Sequence, residues 1–186
     1  MLFNKDTKLV DLVKVYKNAI PKELCSDIIT KSSSFNWSKN TWRPDKYRQL
    51  NKPDSNLEPD RATIDRDSQV KAGLLIETYA NLYVKEVRVP FQFEIKKFDT
   101  PDIIRYSSGT RMLPHHDHAD AVGIPILSTI GLLNDDFEGG EFIFWDNLDI
   151  KLEAGDMLLF PTLFAYTHQI NTITKGTRYS LVSWVY

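Results

Sequence analysis

Hydrophobic and polar positions follow two different periods along this chain, and the change falls near residue 91. Before it, "SQVKAGLLIETYANLYV" repeats apolar residues at helical intervals through Val70, Leu74, Leu75, Thr78, Tyr79 and Leu82. This predicts an amphipathic helix covering a flat surface, the face of a sheet. Upstream, "LVKVYKNAIPKELCSDIITKSSS" predicts a short strand at Leu12–Tyr16, then a helix with Pro21 in its first position, where a missing N–H leaves no hydrogen bond unmade. Leu24, Cys25, Ile28 and Ile29 share one side of that helix, so Cys25 is expected to be a core thiol. Residues 39–66, between the helices, are polar, proline-rich and without a period. A loop of that length in a compact domain is either mobile or a lid over a site.

From Phe91 the period is two. "FQFEI", "IPILSTIGLL", "GEFIFW", "DIKLEAGDMLLF", "THQINTI" and "RYSLVSWVY" are broken by the turn segments "NDDFEGG", "DN", "EAGD" and "TKG". Short strands separated by Gly, Asn and Asp turns point to an antiparallel barrel or jelly roll. The expected fold is mainly β with some helix (α+β): a double-stranded β-helix with two helices of the N-terminal half packed on its sheet. At 186 residues one domain is expected, with a helix-containing part over 1–90 and a jelly-roll core over 91–186.

Composition narrows the function classes. The net charge is −2 and the pI near 6.1, with lysines and arginines interspersed among acids, so nothing favours a nucleic-acid or anionic-membrane partner. One cysteine excludes an internal disulfide and suits a reducing compartment. There is no apolar run of about 18 residues and no charged-then-apolar leader, so a soluble, cytoplasmic protein is expected.

The candidate chemistry lies in "MLPHHDHAD", which holds three of the four histidines within nine positions. On a strand His115 and Asp117 would face one side and His116 the other; His116 with His118, and His118 with Asp120, are competing registers. A third ligand would complete a two-histidine, one-carboxylate triad with open coordination positions, the hallmark of non-haem Fe(II) oxygenases. His168, on the predicted strand "THQINTI", is the remaining histidine. Ten residues on, Arg178 opens the last strand, and alternation puts Arg178, Ser180, Val182 and Trp184 on one face. If that face is interior, the guanidinium needs an anion, which a dicarboxylate cosubstrate would supply.

With these motifs in place, the chain resembles the 2-oxoglutarate/Fe(II)-dependent oxygenases, in particular the prolyl 4-hydroxylase-like branch with its compact bacterial and phage members. "RYSSGTRMLPHHD" is similar to that family's Y-x-x-G…P-H-x-D segment, which selects His115 and Asp117 over the other registers. "EGGEF" is similar to its G-G-E-T turn, "EAGDMLLFP" to the strand leading toward the distal histidine, and "HQINTITKGTRYSLVSWV" to the closing segment. The resemblance implies iron on His115, Asp117 and His168, 2-oxoglutarate against Arg178 and Tyr106, and Trp184 lining the pocket. It further implies O2 as second cosubstrate, ascorbate as a candidate additional cofactor, and hydroxylation of a C–H bond with release of succinate. A peptidyl proline, and hence a protein or peptide partner, is the leading substrate. His116 and His118 are expected to face away from the metal, Asp120 to cap a turn, Trp145 to pack and Tyr179 to point out of the barrel. Two positions depart from the pattern: Phe142 replaces the threonine of the G-G-E-T turn, and Arg178 stands where collagen-type prolyl hydroxylases carry lysine. The rival readings are a cupin-like binding module without redox activity, which would have no reason to keep Arg178, and an oxygenase of the same superfamily acting on a small molecule or nucleic acid; for the nucleic acid the basic groove is missing.

Overall fold

The structure is a computed structural model that describes residues 6–40, 57–87, 95–118 and 123–186. Its strands are β1 (Lys14–Tyr16), β2 (Ser38–Lys39), β3 (Asp60–Thr63), β4 (Asp102–Ser107), β5 (Met112–His115), β6 (Leu127–Leu132), β7 (Glu138–Gly139), β8 (Phe142–Phe144), β9 (Leu148–Ile150), β10 (Met157–Pro161), β11 (His168–Ile170), β12 (Ile173–Lys175) and β13 (Thr177–Val185); its α-helices are α1 (Lys22–Lys31) and α2 (Arg66–Glu86). A large sheet runs β1-β10-β6-β13-β4-β3-β2, a smaller one β5-β11-β8-β9, and β12 pairs with β7. All pairings are antiparallel. This is the jelly roll expected, with open sheet edges and no closed barrel among the described residues.

The long closing strand β13 has two working faces because both sides of the large sheet are covered. Val182 and Trp184 look into the sandwich, where they meet Ile104, Ile130 and Leu158 from the large sheet and Phe142, Phe144 and Ile170 from the small one. Leu181 and Val185 look the other way, into a second core with Leu24, Cys25 and Ile28 of α1 and Ala72, Ile76, Ala80 and Tyr83 of α2. Tyr179 packs on that second core, away from the interior as expected. Cys25 is buried there, and burial pushes its thiol up to about 11.

Several expectations need correction. Val70 and Leu74, read as part of the packing face of α2, are exposed, as is the edge residue Leu82. The face on the sheet is Ala72, Ile76, Ala80 and Tyr83, flanked by Leu75 and Tyr79. At 100° per residue, Val70 and Leu74 fall on the far side of the helix from that stripe, and the two alanines let the helix lie close to the sheet. Leu9–Leu12 forms a 3-10 turn, so the first strand starts at Lys14. Pro21 is the cap of α1 and not its first helical residue: its extended ψ of 137° precedes the helix, while its carbonyl accepts from the N–H of Leu24 and Cys25. The span 39–66 is not all loop, since β3 pairs along β4; the lid expectation for 41–56 lies outside the described residues, as do Asp120 and most of "FQFEI". β4 escaped the period-two reading because Ile103 and Ile104 are both buried, one on each face of a doubly covered sheet.

No helix among the described residues is long and apolar enough to cross a membrane.

Candidate metal centre

The centre is assembled at the seam between β5 and β11. These strands pair with His115 opposite His168 and Met112 opposite Ile170. Leu113 and Pro114 therefore stand against the single residue Gln169, a one-residue bulge. Its effect is directional: Met112 and His115, an odd number apart, both line the interior cavity. A proline serves well there, because an edge strand at a bulge has no ladder bond for its missing N–H to break. β5 ends at His115, so Asp117 follows in irregular chain and not, as expected, on the strand itself.

Asp117 nevertheless turns into the same space. Its Oδ1 lies 3.5 Å from His115 Nε2 and 3.9 Å from His168 Nε2, and one donor atom from each of the three residues falls within 4.8 Å of the others. Each imidazole is aimed by a backbone carbonyl, with Nδ1 of His115 2.8 Å from Leu113 O and Nδ1 of His168 3.0 Å from Tyr166 O. A carbonyl only accepts, so Nδ1 carries the proton and the Nε2 lone pairs face the centre. Asp117 is fixed from the opposite sheet, where Ser128 Oγ on β6 donates to Oδ2 at 2.5 Å. His168 sits among three phenylalanine rings: Phe142 stacked on it at 5.2 Å and 8°, Phe160 edge-on at 4.8 Å and Phe144 at 5.6 Å. Their burial of the ring pushes its pKa down to about 4, which keeps the imidazole neutral, the state a metal requires.

Arg178 lines the same cavity with Tyr106, Phe142, Ser180 and Trp184. It is 2 % exposed, donates from Nη1 to Ser180 Oγ at 3.0 Å and lies over the Tyr106 ring at 5.3 Å. Among the described residues no carboxylate pairs with it. Burial pulls its pKa below the usual arginine value, opposed by Tyr106, whose own phenol burial pushes up to about 12. A buried cation without an anion is costly unless a ligand supplies one. The donor set of two imidazole nitrogens and one carboxylate, with that guanidinium in the same cavity, fits Fe(II) and a dicarboxylate.

All six residues singled out from the sequence, His115, Asp117, His168, Arg178, Tyr106 and Trp184, line this one cavity. His116 is exposed and His118 half-buried, and neither lines it. Trp145 packs against the sandwich core. Sequence reasoning put Ser180 on the face of Arg178 but did not foresee its bond to the guanidinium, and it passed over Ser128, whose signal was a hydroxyl on the inward face of an otherwise apolar strand. It also passed over Arg61, which pairs with Asp102 at 2.6 Å and lies 5.2 Å from the Trp184 ring. The double glycine of "EGGEF" has a steric reason. Gly139 and Gly140 have φ of 78° and 69°, and a Cβ on either would come within 2.3 Å of Thr172 O or Ile173 Cδ1.

Residues 101–186 match the sequence profile of the 2OG-Fe(II) oxygenase superfamily. Among curated proteins, the chain is 33% identical over 118 residues to a PKHD-type hydroxylase of Idiomarina loihiensis, covering 60% of this chain and 51% of that one. It is 36% identical over 97 residues to a PKHD-type hydroxylase of Hyphomonas neptunium, covering 46% and 42%. The chain thus spans about half the length of these relatives. Among solved structures, a Pseudomonas putida prolyl-4-hydroxylase superposes with a TM-score of 0.69 at 14% identity, covering 95% of each chain. A Trichoplax adhaerens prolyl hydroxylase, in complex with a hypoxia inducible factor peptide fragment, gives 0.67 at 14% identity over 94% of this chain and 83% of that one. The profile thus covers β4 to β13, the strands that carry the cluster, and over those residues the chain is similar to the 2OG-Fe(II) oxygenase superfamily, while its jelly roll is the fold of the prolyl hydroxylases.

Proposed function

We propose that this protein is a 2-oxoglutarate- and Fe(II)-dependent dioxygenase in which His115, Asp117 and His168 hold the iron and Arg178 receives the far carboxylate of 2-oxoglutarate. The observation that carries the reading is that three convergent donor atoms and one buried guanidinium, without a carboxylate partner among the described residues, line a single cavity. Iron(II) held by His115, Asp117 and His168 would, with 2-oxoglutarate, supply activation of O2, one oxygen atom ending in succinate as CO2 leaves and the other in a hydroxyl group on the substrate carbon. The chain's own residues do the positioning. Arg178 would hold the far carboxylate of the cosubstrate by a charge-assisted pair, with Ser180 keeping the guanidinium in place. The Tyr106 ring shields that pair, Ser128 keeps Asp117 oriented, and Phe142, Phe144 and Phe160 exclude water from behind His168. Trp184 stands on the cavity wall that the substrate would meet.

The substrate class we infer is a peptidyl proline, supported by the prolyl hydroxylases among the structural neighbours, one of them holding a peptide. We further infer that residues 1–90 back the jelly roll of 91–186 within one domain, a reading supported by the core that α1 and α2 share with the large sheet. The lone buried thiol suits the reducing cytoplasm, and ascorbate would serve to keep iron reduced. The test is succinate release by the purified protein given Fe(II), ascorbate and 2-oxoglutarate in air. Release is expected, with loss in His168→Ala and a rise when proline-containing peptides are added. Failure of every proline peptide to raise it would remove the prolyl assignment; failure to bind both iron and 2-oxoglutarate would remove the enzyme.

A further inference from the structure

Two cavities meet at Arg178. The inner one, about 30 Å³, holds His115, Asp117 and His168. The outer one, about 150 Å³, lies at the end of the sandwich among Leu132, Phe137, Gly140 and Leu152 and is partly open to solvent. Only Phe142 and Arg178 line both. Arg178 is the second residue of β13 and, though itself buried, lines this partly open cavity as well as the inner one. Beside its stem the chain carries no side chain: a Cβ on Gly140 would lie 3.3 Å from Arg178 Cδ. Among the described residues, the guanidinium uses one donor, to Ser180, and leaves the others of its fork for a ligand. In the outer cavity, Lys151 is already engaged by Asp149 and Glu141 is acidic, so Arg178 is the cation that cavity offers to an anion.

We propose that the cosubstrate pocket is open at its far end, so that Arg178 donates to a carboxylate from the free edges of its fork toward either cavity and the protein binds six-carbon 2-oxo dicarboxylates as well as 2-oxoglutarate. The inference rests on the cosubstrate reading above. In a closed apolar pocket one surplus methylene lowers binding by roughly 10–200-fold, because the chain must buckle or the far carboxylate must leave its partner. Here the added length passes Phe142 and enters space that already exists.

The test is calorimetric binding of 2-oxoglutarate and 2-oxoadipate to the Mn(II)-loaded protein under argon, with no turnover required. In the wild type, 2-oxoadipate is expected to bind within about tenfold of 2-oxoglutarate, inside the penalty of a closed pocket. Leu152→Phe, which fills the outer cavity without touching the inner one, should weaken 2-oxoadipate by about tenfold or more and leave 2-oxoglutarate within about threefold, which also shows that the variant is folded. A wild-type preference for 2-oxoglutarate beyond that tenfold limit, or a Leu152→Phe variant that treats the two acids alike, overturns the open end while leaving the oxygenase intact. Failure of 2-oxoglutarate itself to bind overturns the cosubstrate reading and this inference with it.

Discussion

Replacing Arg178 by methionine should separate folding from cosubstrate binding, because the two place opposite demands on that position. The guanidinium is 2 % exposed and has no carboxylate partner among the described residues. In the ligand-free protein it carries an effective desolvation penalty of several kcal/mol. What the fold recovers is the bond to Ser180 Oγ, about 1.5–3 kcal/mol for a charged donor, and the contact with Tyr106, about 0.5–2 kcal/mol. A linear apolar side chain of similar reach removes the penalty along with the bond, so ligand-free stability should hold or rise by about 1–2 kcal/mol. At this chain length each kcal/mol moves the melting temperature by about 2–4 °C. Binding should move the other way. A carboxylate left without its cation in a desolvated pocket loses about 2–5 kcal/mol, roughly a 30-fold to several-thousand-fold rise in the 2-oxoglutarate dissociation constant. Scanning calorimetry of the ligand-free protein and titration calorimetry of the Mn(II)-loaded protein read the two effects independently. A melting temperature that drops by more than about 4 °C, with 2-oxoglutarate affinity within about threefold of wild type, would refute the reasoning and make Arg178 a structural residue.

Anaerobic Fe(II) titration should show binding lost in His115→Ala, Asp117→Ala and His168→Ala, retained in His116→Ala and His118→Ala, and weakened about 10–100-fold in Ser128→Ala through loosened orientation of Asp117. Loss in His118→Ala with retention in His115→Ala would select another register. In urea unfolding, Ile76→Ala should cost about 2–5 kcal/mol by opening a cavity on the sheet, whereas Leu74→Ala should stay within about 0.5 kcal/mol; the reverse order would mean that α2 packs through the other face. Because burial raises the Cys25 thiol to about 11, only a trace of thiolate exists at about pH 8, and a thiol reagent should label the native protein only as fast as it unfolds. Rapid stoichiometric labelling of the folded state would place Cys25 outside the core.

Much of the site was legible before any coordinates because its chemistry is carried by rare residue types at set intervals. Four histidines in the whole chain leave few possible triads, and the ten-residue step from His168 to Arg178 is one crossing from the small sheet at β11, through β12, to β13 of the large sheet. The jelly roll was legible in its C-terminal half because strands separated by glycine-rich turns alternate wherever one face is drier than the other. That logic fails where both faces are buried, as at Ile103 and Ile104 of β4, and it misassigned α2, where alanines at 72 and 80 mark the contact more truly than the leucines do. Periodicity records which residues are apolar, but not which of two apolar stripes finds a partner. Three further facts were decided by tertiary structure alone. The bulge at Leu113–Pro114 turns His115 inward, and Ser128 reaches Asp117 from the facing sheet. The aromatic wall around His168 is assembled from β8 and β10. Each depends on contacts between segments far apart in the chain, set by strand register and by the gap between two sheets, and neither quantity is written in any local pattern of residues.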